Sequence, residues 1–389
     1  MNNLIKINNL SPKGLMVFIL LVTLLTLTSN LGQAEDKIIK VGLMNNTKKL
    51  KIIAEDGLEL KTSNGYNLAL NDAKKFIFIK TGEFIRINNY FFASNNILVS
   101  PLGKELVKIE KRGYKGTIKL INNKRGITVV NKVGMKDYLA SVIGSEIDPK
   151  WPLAALKAQA VVARTYALRN LNAYASKGYH LSNTTYSQAY KGDHVTTEKI
   201  YKAVNETKRE VLTYDGNLIS AVYHSNAGGK TAQGEVIWGG QTPYLQSVSS
   251  KDEYAPNYKW QKKYSTVELE KILAQQDIKI STIDKIYLAG VGPSGRAKEV
   301  ILSNKRKNIV IDSSEFRFWL DLRSTKFSIE KLSEGYLFKG KGWGHGVGMS
   351  QWGAYQMAKT GSTYQGILAH YYQNTKLVKK DVGGIDDEG

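Results

Sequence analysis

The 389-residue chain contains no cysteine. That excludes disulfides, thiolate metal sites, thiol catalysis and a lipid-modified N-terminal cysteine. A chain this long buries a core without cross-links, so their absence says nothing against folding. Acidic residues are scarce beside basic ones, 34 against 55, which leaves a formal net charge of +21. Beyond the first 34 residues no apolar run approaches the roughly 20 residues that a bilayer span needs. Nucleotide-binding loops are missing too. The glycine run from Gly340 to Gly348 lacks GxGxxG spacing, and no GKS or GKT follows it. Long repeats and low-complexity linkers are absent.

What is present starts with a leader. Lys6 and Lys13 precede an apolar core from Leu15 to Leu27, and a small-residue cleavage site ends at Ala34, before Glu35. Residues 1–34 are therefore expected to be a signal peptide. An uncleaved leader is the alternative, and only through it would the chain meet a membrane. Export to the periplasm or cell wall follows as the expected localisation. Such positive charge implies polyanionic surroundings. For an exported chain these are the cell-wall polymer rather than nucleic acid, although much of the lysine is solvated surface.

Residues 35–114 show short alternating runs such as Lys75–Ile79 and Phe84–Ile87 between Asn, Gly and Lys clusters, the pattern of a β-rich accessory module. Two strands, Gly116–Ile121 and Gly126–Val130, then lead into residues 138–166. There Leu139, Val142, Ile143 and Glu146 share one helical face. A carboxyl on an apolar face loses hydration and holds its proton more tightly, as a glycosidase acid must. A glutamate that caps or salt-bridges the next helix is the other reading. That next helix is Ala-rich. Pro152 suits its first turn and Gly178 its end, and Lys157 and Arg164, seven apart, project the same way. They either hold substrate carboxylates or are solvated charges. A helix from Tyr201 running into a strand to Tyr214, a strand from Leu218 to His224, and mixed elements over 245–335 complete an α+β fold. The β-rich catalytic unit covers 115–380, and 381–389 are a flexible tail.

His345 lies in the glycine run, where it either bonds a sugar or the reacting oxygen or satisfies loop backbone. His224 and Ser225 do not form a nucleophilic pair, because neighbours on a strand face opposite ways. With Tyr223 they are read as groove contacts. No second carboxyl shares the Glu146 face, since Asp148 is only two residues away.

The run YLASVIGSEIDPKWPLAALKAQAVVARTYAL resembles the signature of the SpoIID/LytB family of bacterial cell-wall proteins. TTYSQAYKG (184–192), YHSNAGGKTAQGEVIWGG (223–240) and GKGWGHGVGMSQWGAYQMAKTG (340–361) fit the same family in order. The resemblance implies a peptidoglycan lytic transglycosylase with Glu146 as catalytic residue. Lys157, Arg164, Tyr223, His224, Ser225, His345, Gly346 and Gln351 are assigned to substrate binding. Most glycosidases need two carboxyl groups. A transglycosylase needs one, because the muramic acid C6 hydroxyl attacks the anomeric carbon internally and leaves a 1,6-anhydro end. By the same analogy the glycan has lost its stem peptides. Some relatives instead enhance a cell-wall amidase without catalysis, which is the rival function and a second expected partner. Some carry a zinc-binding Cys/His group near residues 180–194. Here Ser182 and Ser187 stand at the cysteine positions, and His180 and His194 alone do not complete a tetrahedral site. No metal or cofactor is expected. Sporulation, division and wall remodelling stay open as the process served.

Overall fold

A computed structural model describes residues 37–104, 106–280 and 282–380. The expected signal peptide and C-terminal tail lie outside the described residues. Residues 38–380 form one compact unit.

Alternating apolar residues drive the first half into sheets. A seven-stranded sheet runs in the order 181–182, Ile38–Thr47, Gly126–Gly134, Thr117–Asn123, Asn96–Pro101, Leu58–Thr62 and Asn67–Leu70. A six-stranded sheet is centred on Lys49–Ile53 and Lys75–Thr81. Alternate side chains are buried in strands such as Lys75–Thr81, with Phe76 and Phe78, and Thr117–Asn123, with Ile118 and Leu120, while the central Gly126–Gly134 is buried on both faces. The hairpin of 75–87 and the strand pair after residue 116 form as the alternation predicts. Strands from both sides of residue 114 share the larger sheet: Ile118 pairs with Val99, and Ile39 with Val133.

The strand Gly126–Gly134 feeds the helix Met135–Glu146, whose Leu139, Val142 and Ile143 are fully buried. The Ala-rich helix follows at Leu153–Arg169, N-capped by Pro152. It ends nine residues before Gly178. Asn170 stops it by donating its side-chain amide to the Tyr166 carbonyl at 2.7 Å, and Gly178 instead closes a short 3-10 turn with φ +80°. Small side chains at Ala158 and Ala163 let other elements approach closely. Ala158, Val161 and Val162 enter a core with Leu212, Leu245, Met349 and Tyr371. The expected strand Leu218–His224 is broken into two short pieces, 217–218 and 223–224. The Ser220 N–H between them bonds the Tyr244 hydroxyl rather than a sheet.

A second core lies within residues 259–338. It holds Leu269, Val300, Phe316, Phe327 and Phe338 beneath two three-stranded sheets. The mixture of helices and several sheets is the α+β class expected.

Candidate active site

Two short parallel strands position the site. Tyr223 pairs with Met349, and His224 with Ser350. Ser350 caps the helix Gln351–Lys359 by accepting from the Gly353 N–H, which sets Gln351 at the helix start. Glu146, the last residue of its own helix, meets this junction. Its Oε1 accepts the Ala189 N–H at 2.9 Å, and Gln351 Nε2 lies 3.4 Å from Oε2. The Tyr223 hydroxyl is a third neighbouring donor. Loss of hydration raises the Glu146 pKa above the ordinary 4.5. Ala189, Gln351, Tyr223 and the Lys191 charge pull the other way without cancelling it. Asp148 is exposed and accepts its own neighbour's Lys150 N–H at 2.8 Å.

Gln188 braces this arrangement. Its Nε2 donates to the Tyr223 hydroxyl at 3.1 Å, and its Oε1 accepts the Tyr138 hydroxyl proton at 2.8 Å. Tyr190 stacks on Tyr138 with ring centroids 5.6 Å apart and donates to Asn131 at 2.6 Å. The loop that supplies the Ala189 N–H is therefore pinned to the Glu146 helix. The zinc group that the resemblance attaches to this loop does not fit here. The Ser182 and Ser187 hydroxyls bond each other at 3.2 Å, and His180 Nδ1 accepts the Lys40 N–H at 3.1 Å. Among the described residues no cluster of three His, Cys, Asp or Glu is placed to hold a metal.

Tyr223 and His224 face opposite ways, as strand geometry requires. His224 is buried and donates Nδ1–H to the Val347 carbonyl at 3.1 Å, leaving Nε2 without a hydrogen-bond partner. His345 accepts the Val347 N–H at Nδ1, so its Nε2–H donates to the Tyr223 carbonyl at 3.0 Å. The two rings lie 5.4 Å apart. Beneath them Arg296 is fully buried and donates to the Ala227 and Gly344 carbonyls. Desolvation and the Arg296 charge hold both imidazoles neutral, His345 at about 3. Gly346, with φ +84°, serves packing: a Cβ there would sit 2.1 Å from the Arg296 Nε. Ser225 accepts the Trp352 N–H at its carbonyl.

Tyr223 and Gln351 thus reach the Glu146 carboxyl, while His224, His345 and Gly346 form an adjoining cluster linked through Tyr223 backbone. Lys157 and Arg164 do project the same way, but toward the helix Glu198–Glu206. Lys157 pairs with Glu206 at 2.5 Å and lies over the Tyr364 ring. Arg164 is 3% exposed and donates to the Glu210 carbonyl at 3.1 Å and to that of Val204. The expected carboxylate grip is not how the guanidinium is placed here: it meets carbonyls around a helix end, where a buried positive charge is favoured by the helix dipole.

Two residues at the site carried no signal in the sequence. Asp252 accepts from the Ala227 and Gly229 amides and from the Ser250 and Ser350 hydroxyls, tying the 225–229 loop to the helix cap. Arg296 is the other. Both come from the mixed stretch 245–335, where no motif sets one charged residue apart.

An α+β fold with a desolvated carboxyl at a helix end, held by amide and phenol donors, defines the class of protein. A family model described as "Stage II sporulation protein" (SpoIID) matches residues 123–214, and one for a domain of unknown function (DUF8618) matches 243–348. The Stage II sporulation protein D of Bacillus subtilis is 31% identical over 268 residues, which are 65% of this chain and 76% of that protein. An uncharacterized protein of Brachyspira hyodysenteriae is 35% identical over 269 residues, 68% of this chain and 72% of the relative. The amidase enhancer of Bacillus subtilis is 29% identical over 377 residues, 83% of this chain but only 51% of its own length. The chain belongs to the SpoIID/LytB family.

Proposed function

We propose that the chain is an exported cell-wall enzyme that cleaves the MurNAc–GlcNAc bond of peptide-stripped glycan strands by lytic transglycosylation. One observation carries the reading: the half-buried Glu146 carboxyl, which desolvation keeps protonated to higher pH and which has donors ready for its ionised form. In the proposed step Glu146 gives its proton to the bridging oxygen as the bond to the MurNAc anomeric carbon breaks. The Ala189 N–H then stabilises the carboxylate. The same carboxylate accepts the proton of the MurNAc C6 hydroxyl as that oxygen closes on the anomeric carbon, and no water is consumed. Exposed Trp238 beside His345 and Trp343 beneath the Arg323 guanidinium supply flat surfaces suited to sugar rings.

Mass spectrometry of the products from peptide-free and intact strands, with Glu146→Gln alongside, tests this. Anhydro-muramyl ends from the wild type alone are expected. Hydrated reducing ends would mean hydrolysis and overturn the single-carboxyl step. The likeness to an amidase enhancer favours a second reading, a glycan-binding protein that stimulates a cell-wall amidase. Binding without cleavage, unchanged by Glu146→Gln, would select it.

A further inference from the structure

Away from Glu146, the three-stranded sheet of Lys259–Ser265, Gly335–Lys341 and Phe327–Leu332 carries a cavity of about 670 Å³ on residues that belong to no catalytic step above. Its register aligns three lysines. Lys259 pairs with Lys341, and the Lys341 N–H bonds the Lys326 carbonyl at 3.0 Å on the other side. Two residues along each strand, and so on the same sheet face, come Gln261, Lys339 and Ser328, again in register. Among the described residues no Asp or Glu lines the cavity. Lys339 has its own carboxylate in Glu330 at 2.6 Å. The row of three has no carboxylate in direct contact among the described residues.

Like charges placed directly across strands destabilise a sheet. Lys326 is half-buried with its ammonium on the Gly228 carbonyl, and desolvation followed by the Arg296 and Lys341 charges lowers its pKa, with Asp252 opposing. A sheet that concentrates lysines around an open concavity is built to gain from an anion. The remaining lining narrows the class. Trp260, between Lys259 and Gln261, turns to the opposite face of the sheet, where it packs beside Gly340 and Phe327 and its Nε1–H donates to the Gly342 carbonyl at 3.1 Å, so the lysine face itself is polar. Gln261 and Ser328 add uncharged donors and acceptors suited to hydroxyls.

We propose that this sheet face is a second glycan site that binds an acidic saccharide, its anionic group held by Lys259, Lys326 and Lys341 and its hydroxyls met by Gln261 and Ser328 on the same face. The site would hold a charged strand on the protein independently of the bond being cut. That the acid is a glycan rests on the wall-glycan reading; the anion site on the lysine row does not.

The test uses the full chain carrying Glu146→Gln, so that turnover does not enter. Calorimetry follows binding of the peptide-free (GlcNAc–MurNAc)₂ tetrasaccharide, its carboxyl methyl ester, chitotetraose and a ribitol-phosphate oligomer. Hydrogen exchange locates the contact. Protection over 259–263 and 326–341 is expected with an acidic ligand. Lys341→Glu and Lys259→Glu should each weaken binding tenfold or more, while Lys51→Glu, with the same charge change on another sheet, should alter it less than twofold. Whether the lactyl carboxylate or the phosphate oligomer binds more tightly tells which acid the site takes. Equal binding of the neutral glycans, equal loss with Lys51→Glu, protection confined to the Glu146 region, or preference for a single-stranded DNA 12-mer would each overturn the proposal.

Discussion

Glu146 holds its proton more tightly than an ordinary glutamate because its helix-end position costs it water, and that has a consequence for stability as well as for chemistry. A carboxyl with a raised folded pKa contributes stability that is fully present below its unfolded value of 4.5 and is lost as pH rises through the folded value. Glu146→Gln, neutral at every pH and still able to accept the Ala189 N–H, should match the wild type in urea unfolding near pH 4 and exceed it near pH 8. Equal stability at both values would remove the desolvation argument. The two imidazoles act in the opposite direction. Both are held below the ordinary 6.5, His345 at about 3, by burial and by the facing Arg296, with Arg317 acting on both. Unfolding releases them to take protons, so their contribution is present above pH 6.5 and falls as pH drops toward 3. The slope is at most about 1.4 kcal/mol per pH unit for each histidine. Unfolding of His345→Gln should show a shallower acid dependence over that window.

At the level of elements, the Ala-rich helix is the member on which the others are hung. Its small residues admit neighbours on one side, and on another its long cations close the turn after the Glu198–Glu206 helix. Arg164→Ala would leave the Val204 and Glu210 carbonyls without this donor in a buried place. The expected loss is about 2–4 kcal/mol in denaturant unfolding. Affinity of the folded variant for glycan should be unchanged. A glycan-binding defect in folded Arg164→Ala would restore the carboxylate-grip role. The Tyr138–Gln188–Tyr223 chain is the corresponding device at the site. Gln188→Leu should lower kcat, because Tyr223 and the loop bearing Ala189 lose their common brace.

At the scale of the molecule, the described residues are held by two apolar cores, one around Leu212 and Tyr371 and one around Phe316 and Phe338, and the cysteine-free sequence adds no disulfide. The 180–194 loop, where a metal would be looked for by analogy, is tied by serine hydroxyls and by Tyr190 against Asn131. Treatment with a chelator should therefore leave the melting temperature unchanged. Among the described residues no helix is long and apolar enough to cross a membrane.

The sequence by itself determined the local periods: the alternation at 75–87, the 3.6-residue stripe ending at Glu146, and the start of the Ala-rich helix after Pro152. These are short-range effects of side-chain geometry, and they survive folding. Only tertiary structure decided which polar groups meet. Glu146 and Gln351 stand 205 positions apart and are joined by a parallel pair of two-residue strands too short to announce themselves. Arg164 follows the same logic. Its spacing from Lys157 was legible, but what lay on that side was not, since a cation seeks carbonyls or carboxylates alike and the packing of the Glu198–Glu206 helix settled which. Asp252 and Arg296 were invisible for this reason too: a charged residue becomes a hub only when the folded chain brings it four donors or two carbonyls out of water.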